Sequence, residues 1–433
     1  MLLLVGAIAV FYVWMIRAFD DRVALLASLL IVVTDLVWQF AISGLNVPLL
    51  LLLVSGMGAA WNEALRAEED EADVWALVWI GVAAVLGALA FLTRYSMMAF
   101  PLALMFGAAF SFRQRIPALV ITVLVPLLIA APWLLRNMQL TGNPFGFAWV
   151  GIYAFDSVLW RTFGEHPAAY MGLKQLVKAV VFGLGNQLEN MGYFFGGFLL
   201  PGVFFASLLH TFRNSATQMS RWVWLIAAVL LVLFNASVIK QADPQVFLEL
   251  NGLIVLIPIL AAYSAAFLYT LMDRLKLPSN ILQIPLVVLI VGLQLIPLGI
   301  KVVQKTPPRF AYPPYFPPVL FFIKDWLEPT ELKSADIPWA TAWYCDRVSL
   351  WIPHRKKDFY ELNDFKFRIS AMLFTPETSN RKMLTQIQMG EYAEWAPLIK
   401  RTKLEDLPLP FVTALPPNPE QDYLYFSDRV RWK

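Results

Sequence analysis

Apolar residues fill the first 300 positions in runs of about 16 to 25, parted by short polar breaks, and the pattern then stops. Helical runs of that length suit a hydrocarbon core of roughly 30 Å. The pattern predicts about ten membrane spans, at 1–16, 23–42, 47–62, 75–92, 97–112, 117–135, 192–211, 222–239, 247–271 and 280–300. Beyond them, residues 304–318 carry the proline-dense stretch "KTPPRFAYPPYFPP", which predicts an extended linker. In the tail at 319–433, "PPVLFFIKDWLEPT" reads as a short amphipathic helix running on from the linker. "WATAWYCDRVSLWIP" and "KFRISAMLFTP" alternate as strands do, and "LIKRTKLEDLPLPF" holds a further helix or strand. The predicted organisation is a membrane domain over 1–303, a linker over 304–318 and a small α/β domain over 319–433. The fold class is a polytopic α-helical membrane protein with a small C-terminal soluble α/β domain.

Composition agrees: 59% of the residues are hydrophobic and 15% charged, against about a quarter charged in ordinary globular chains. A formal net charge of +3 with no basic face excludes a nucleic-acid partner. One cysteine forbids an internal disulfide, and three scattered histidines give no metal-ligand spacing. No cofactor is evident, and a divalent cation finds no support in the sequence.

Charge also orients the spans. Arg17 and Arg22, Arg66, Arg113 and Arg115, Arg213 and Arg221, and Arg274 with Lys276 fall on alternate short connections, which the positive-inside rule places in the cytoplasm. The acidic run "EEDEAD" lies with them as a solvated loop. The connections at 43–46, 93–96, 136–191 and 240–246, and everything after residue 300, are then outside. Met1 would also begin outside, within an apolar run and without a basic leader, so the reading expects an earlier helix and outer loop before this start, with a natural N-out start as the alternative.

Two arginines end spans on the outer side: Arg94 with Tyr95 in "LTRYSMMAFP", and Arg136 with Asn137 in "APWLLRNMQLTGNPF", where Asn143 lies in the turn. A guanidinium fork matches a phosphate bidentately, so this pair could hold the phosphate of a lipid-linked substrate; snorkelling onto ordinary headgroups is the other reading. The long outer loop carries Trp149, Tyr153, Asp156, Trp160 and His166, the aromatics and acid that a sugar site uses or that anchor a loop at an interface. Its later part, "YMGLKQLVKAVVFGLGNQLENMGYFF", has the pattern of a helix lying in the interface. Asp35 falls within a span, where an acid is a functional suspect or is held by a neighbour. Lys240 and Glu249 lie near the outer boundary. Nothing in the tail has nucleophile–base spacing or a phosphate-cradling glycine loop; Asp346 and Arg347 in "YCDR" read as a structural pair, and "HRKKDF" as a solvated basic turn.

These segments resemble a known clan. "DDRVALLASLLIVVTDLVWQFAISGLNVPLLLLLVSGMGAAW", "FLTRYSMMAFP" and "APWLLRNMQLTGNPF", in this order, look like the bacterial GT-C glycosyltransferases, the clan of protein O-mannosyltransferases and aminoarabinose transferases. "ADIPWATAWYCDRVSLWIP" is similar to their soluble tail. The resemblance implies transfer of a sugar from a polyprenyl-phosphate donor to an acceptor, which could be protein, lipid or polysaccharide, on the outer face of a bacterial inner membrane. It also implies that interfacial arginines, here Arg94 and Arg136, grip the departing lipid phosphate. The first-loop carboxylate of such enzymes has no counterpart in this chain. Asn46 stands where many relatives have an acid, and Glu249 where they often have an arginine. Asp35, Asn46, Asp156, Lys240 and Glu249 are therefore candidate substrate contacts, and no residue is assigned as catalytic. The alternatives are a non-catalytic relative that binds lipid-linked glycan or acts as a scaffold, and a transporter of lipid-linked sugars. Against the last, no repeated half is visible.

Overall fold

The computed structural model describes residues 1–146, 148, 173–190, 194–195, 197, 199–212, 214–238, 251–275, 279–304, 317–353, 355–375, 393–399, 407–418 and 421–432. The described residues fall into two compact units, one from Met1 to Gln304 and one from Pro317 onward.

The first unit is helical. Its elements are α1 (Leu2–Ala18), α2 (Asp21–Val32), α3 (Asp35–Ile42), α4 (Val47–Glu69), α5 (Asp73–Thr93), α6 (Ala99–Ser111) and α7 (Arg115–Thr141). After these come α8 (Leu173–Glu189), α9 (Leu199–Ser207), α10 (Ser215–Val238), α11 (Ile257–Arg274) and α12 (Ile284–Gln304). Among the described residues, six helical segments are long and apolar enough to cross a membrane, or seven when α2 and α3, bent by 60°, count as one span. The expected ten are not confirmed. α1 has 17 residues, about 25 Å at 1.5 Å per residue, which falls short of the core. The run at 97–112 is shared between a 3-10 turn, Tyr95–Met98, and the 13-residue α6.

Between membrane helices, close packing replaces hydrophobic burial as the source of adhesion, so small residues mark the contacts. A methyl group on Gly58 of α4 would meet the Trp14 ring of α1 at 2.3 Å. The helix predicted to lie in the interface is α8. It is helical, but one side of it packs on α10 so closely that a Cβ on Gly183 would sit 1.9 Å from the Ala236 carbonyl oxygen.

The break between α2 and α3 obeys the rule that backbone freed within a membrane must be recaptured. Thr34 Oγ1 donates to the Leu30 carbonyl at 2.6 Å, and Trp38 Nε1 to the Val32 carbonyl at 2.6 Å. From α12, Gln294 Nε2 donates to Thr34 Oγ1 at 3.0 Å.

The second unit holds a five-stranded sheet of β1 (Leu332–Ala335), β2 (Ser349–Trp351), β3 (Ile369–Phe374), β4 (Phe411–Asn418) and β5 (Gln421–Ser427), in the order β2-β1-β3-β5-β4. The β2, β1 and β3 strands are parallel, while β5 pairs antiparallel with both β3 and β4. One face packs on α13 (Pro317–Trp326) and α14 (Pro338–Cys345), through Leu320, Ile323, Ala340 and Cys345. The other packs on α15 (Lys356–Phe365), through Phe359, and on Trp395. All six residues of β3 are buried, as expected of a strand covered on both faces.

Here one expectation is corrected. "PWATAWYC" is a helix, not a strand: Pro338 suits its first turn, and Trp339 and Trp343 recur at helical spacing on its outer face. The alternation W-A-T-A-W satisfies both periods, which is why it reads as a strand.

Candidate functional site

The site is built where α5 and α7 end. The α5 helix stops at Thr93. Arg94 is extended, with φ −158° and ψ 124°, and Tyr95 opens the 3-10 turn into α6. The α7 helix ends in a cap that needs glycine: Gly142 takes φ 71° and returns its N–H to the Met138 carbonyl at 2.9 Å. The chain then turns tightly, because Asn143 Oδ1 accepts the Phe145 N–H at 2.9 Å. Thr141 Oγ1 donates to the Asn137 carbonyl at 2.9 Å and accepts the Asn143 N–H at 3.3 Å, so the turn is tied back onto the helix that it leaves.

Tyr95 joins the two ends. Its hydroxyl oxygen accepts Trp133 Nε1 at 2.7 Å and Asn137 Nδ2 at 3.0 Å, and its ring meets Phe145 edge-on at 5.9 Å. Asn137 Nδ2 also donates to the Pro144 carbonyl at 3.1 Å. With both oxygen lone pairs engaged, the Tyr95 O–H is left as a donor. Arg136 lies with its guanidinium carbon 5.1 Å from the Trp133 ring centroid and makes no ion pair among the described residues. These groups border an open cleft of about 460 Å³, lined by Tyr95, Trp133, Arg136, Asn137, Thr141 and Phe145 among others.

The predicted residues therefore divide. Tyr95, Arg136 and Asn137 line one cleft. Asn143 shapes its turn without lining it. Arg94 is half-buried at the end of α5 and is not among the lining residues. Asn46, at the start of α4, donates from Nδ2 to the Thr93 carbonyl at 3.2 Å and so ties that start to the end of α5. Asp35 stands apart from the cleft. Its Oδ2 accepts both Lys301 Nζ from α12 and Gln39 Nε2, which commits the carboxylate to an ion pair. Asp156, Lys240 and Glu249 lie outside the described residues.

Two participants escaped the sequence reading. Trp133 precedes Arg136 by three residues, and that helical spacing could have revealed it. Lys301 pairs with Asp35 across 266 positions, which no local pattern signals. No grouping of three or more His, Cys, Asp or Glu side chains fit for a metal ion occurs among the described residues.

No known protein family matches the chain by sequence, and neither does any curated protein. Solved structures do match. The oligosaccharyltransferase of Archaeoglobus fulgidus, in complex with Zn and sulfate, aligns over 92% of this chain and 58% of its own, at 15% identity and a TM-score of 0.50. The same protein tethered to an acceptor peptide containing the NVT sequon aligns over 92% and 60%, at 14% identity and a TM-score of 0.52. ArnT from Cupriavidus metallidurans, in the apo state, aligns over 98% of this chain and 82% of its own, at 15% identity and a TM-score of 0.51. The chain thus spans about three-fifths of the archaeal protein's length. At such identities the likeness is one of fold: this chain shares the fold of the archaeal oligosaccharyltransferase and of ArnT.

Proposed function

We propose that the chain is an integral-membrane glycosyltransferase that moves a sugar from a polyprenyl-phosphate donor to an acceptor at the outer face of a bacterial inner membrane. The observation that carries this reading is the Tyr95–Trp133–Arg136–Asn137 cleft, a set of hydrogen-bond donors at the ends of two helices in a GT-C fold. During transfer an acceptor nucleophile bonds to the sugar's anomeric carbon and gives up its proton to water, while the bond from that carbon to the phosphate oxygen breaks and its electron pair leaves with the lipid phosphate. Charge on that phosphate grows from about −1 to −2. Arg136 supplies a fork to the phosphate, and the Tyr95 hydroxyl a further donor, so both act where charge develops. Trp133 and Asn137 orient Tyr95 and do not react.

The test is transfer of a labelled sugar from a short-chain prenyl-phosphate donor by the purified chain, using crude envelope fractions as acceptor. Transfer that falls at least tenfold in Arg136→Ala and in Tyr95→Phe supports the reading. Transfer unaffected by either change overturns the assignment of this cleft. One observation favours a second reading, a relative that binds lipid-linked glycan without turnover: none of the nine described residues that line the cleft is an acid or a histidine, and Asp35 is tied to Lys301. Donor binding without transfer under every acceptor tried would select it.

A further inference from the structure

At the carboxyl ends of the parallel strands, the second unit carries a surface that the transfer reading does not use. The α14 helix turns Ala340, Thr341 and Cys345 inward and leaves Trp339 and Trp343 outward, 56% and 82% exposed. Trp351, the last residue of β2, is 40% exposed and meets Trp339 edge-on, with ring centroids 5.7 Å apart. Ala335 and Trp351 are partners in register, so the ends of β1 and β2 share one rim. Four residues past Trp351, Arg355, Lys356 and Lys357 open α15 on the same rim.

Arg355, Lys356 and Lys357 are consecutive there. Among the described residues, the acids beside them are Glu394, which accepts the Lys356 N–H at 2.6 Å, and the buried Asp336 and Asp358.

Three tryptophans left open beside a basic cluster have the chemistry of a headgroup layer: indole favours the boundary between water and hydrocarbon, and lysine and arginine favour anionic lipid. The chain enters this unit twelve residues after α12, at 305–316, a reach of at most about 40 Å. A bilayer is therefore always near. We propose that this rim docks on an anionic bilayer surface, with Trp339, Trp343 and Trp351 entering the headgroup layer and Arg355, Lys356 and Lys357 meeting lipid phosphates. The inference is independent of the transfer reading.

The test uses the full chain with a spin label at Ala342→Cys, an exposed position between the two α14 tryptophans; the native Cys345 is fully buried. In nanodiscs of phosphatidylcholine with phosphatidylglycerol, the label should be shielded from an aqueous nickel chelate and accessible to oxygen. A second label at Asp364→Cys, at the far end of α15, should stay open to the chelate. Each basic group near an anionic surface is worth about fivefold in the docking equilibrium. Lys356→Ala with Lys357→Ala should therefore weaken shielding on the order of 25-fold in anionic discs. Trp339→Ser with Trp343→Ser should weaken it in any lipid, with an unchanged circular-dichroism melt. Equal chelate access at Ala342→Cys in anionic discs, neutral discs and detergent overturns the proposal. So does shielding that follows protein concentration, which marks a second copy, or that requires an added soluble saccharide.

Discussion

Replacing Tyr95 by Phe removes one oxygen and asks whether the cleft holds an anion. That oxygen takes Trp133 Nε1 at 2.7 Å and Asn137 Nδ2 at 3.0 Å, which turns its own proton into a donor. A hydrogen bond to a charged group is worth about 1.5–3 kcal/mol. At 1.4 kcal/mol per decade, losing it should weaken phosphate binding by roughly 10- to 100-fold. The structural loss is smaller. Asn137 keeps the Pro144 carbonyl at 3.1 Å, Trp133 is 44% exposed and its N–H can turn to water, and the ring contacts with Phe91 and Phe145 survive in Phe. Affinity should move while the melting temperature stays nearly still. The assay is microscale thermophoresis of the purified chain with geranyl phosphate and, as the uncharged control, geraniol. Tyr95→Phe and Arg136→Ala should each lose phosphate affinity while geraniol binding holds. If Tyr95→Phe binds geranyl phosphate as tightly as the parent, or if both compounds lose equally, the hydroxyl is not a phosphate donor and the reasoning fails.

Lys301→Met leaves the Asp35 carboxylate with Gln39 alone. Breaking a buried pair costs about 3–5 kcal/mol, less here because the Lys301 side chain is 25% exposed, so the detergent melt should fall clearly; Asp35→Asn added to it should recover part of the loss. In the second unit, burial works to raise the Glu331 carboxyl, but the hydrogen bonds from Arg431 and the Glu328 N–H, with the charges of Arg431 and Arg429, outweigh it and hold the group below 4.5. A carboxylate depressed by folding stabilises above its unfolded value and loses that contribution as pH falls through the folded one. Hydrogen exchange of β1 and β5, corrected for intrinsic rate, should therefore speed up below about pH 4.5, and Glu331→Gln should flatten that dependence.

Much of this was legible because it is local. Runs of apolar residues located the long helices, and "TGNPF" marked a turn after α7, which the structure resolves into a glycine cap followed by an Asx turn. Adjacency misled at Arg94 and Tyr95. An extended residue followed by a 3-10 turn separates the two side chains, so only Tyr95 lines the cleft. The break at Thr34 was hidden because neither proline nor glycine marks it. It persists because Trp38 and the Thr34 hydroxyl satisfy the carbonyls that it frees, and Gln294 holds that hydroxyl in place. Asp35 drew attention as an acid within a span, but its role depended on Lys301, a partner that only the packing of α12 supplies.

The donors around the cleft have a consequence for turnover. A sugar phosphodiester carries one negative charge, and the lipid phosphate that it leaves carries nearly two at neutral pH, since a monoester's second pKa is about 6. The Arg136 and Tyr95 donors, with no carboxylate among the described lining residues to oppose them, should hold the product more tightly than the substrate. That preference favours the charge-developing transition state, and it also slows release of the spent lipid. Geranyl phosphate should therefore bind at least several-fold more tightly at pH 8 than its methyl diester, and the ratio should fall toward one by pH 5, where the monoester is protonated. Arg136→Ala should flatten the ratio at pH 8. Equal affinities for monoester and diester at pH 8 would mean that the cleft recognises the prenyl chain alone, and Arg136 would then be an anchor to ordinary headgroups.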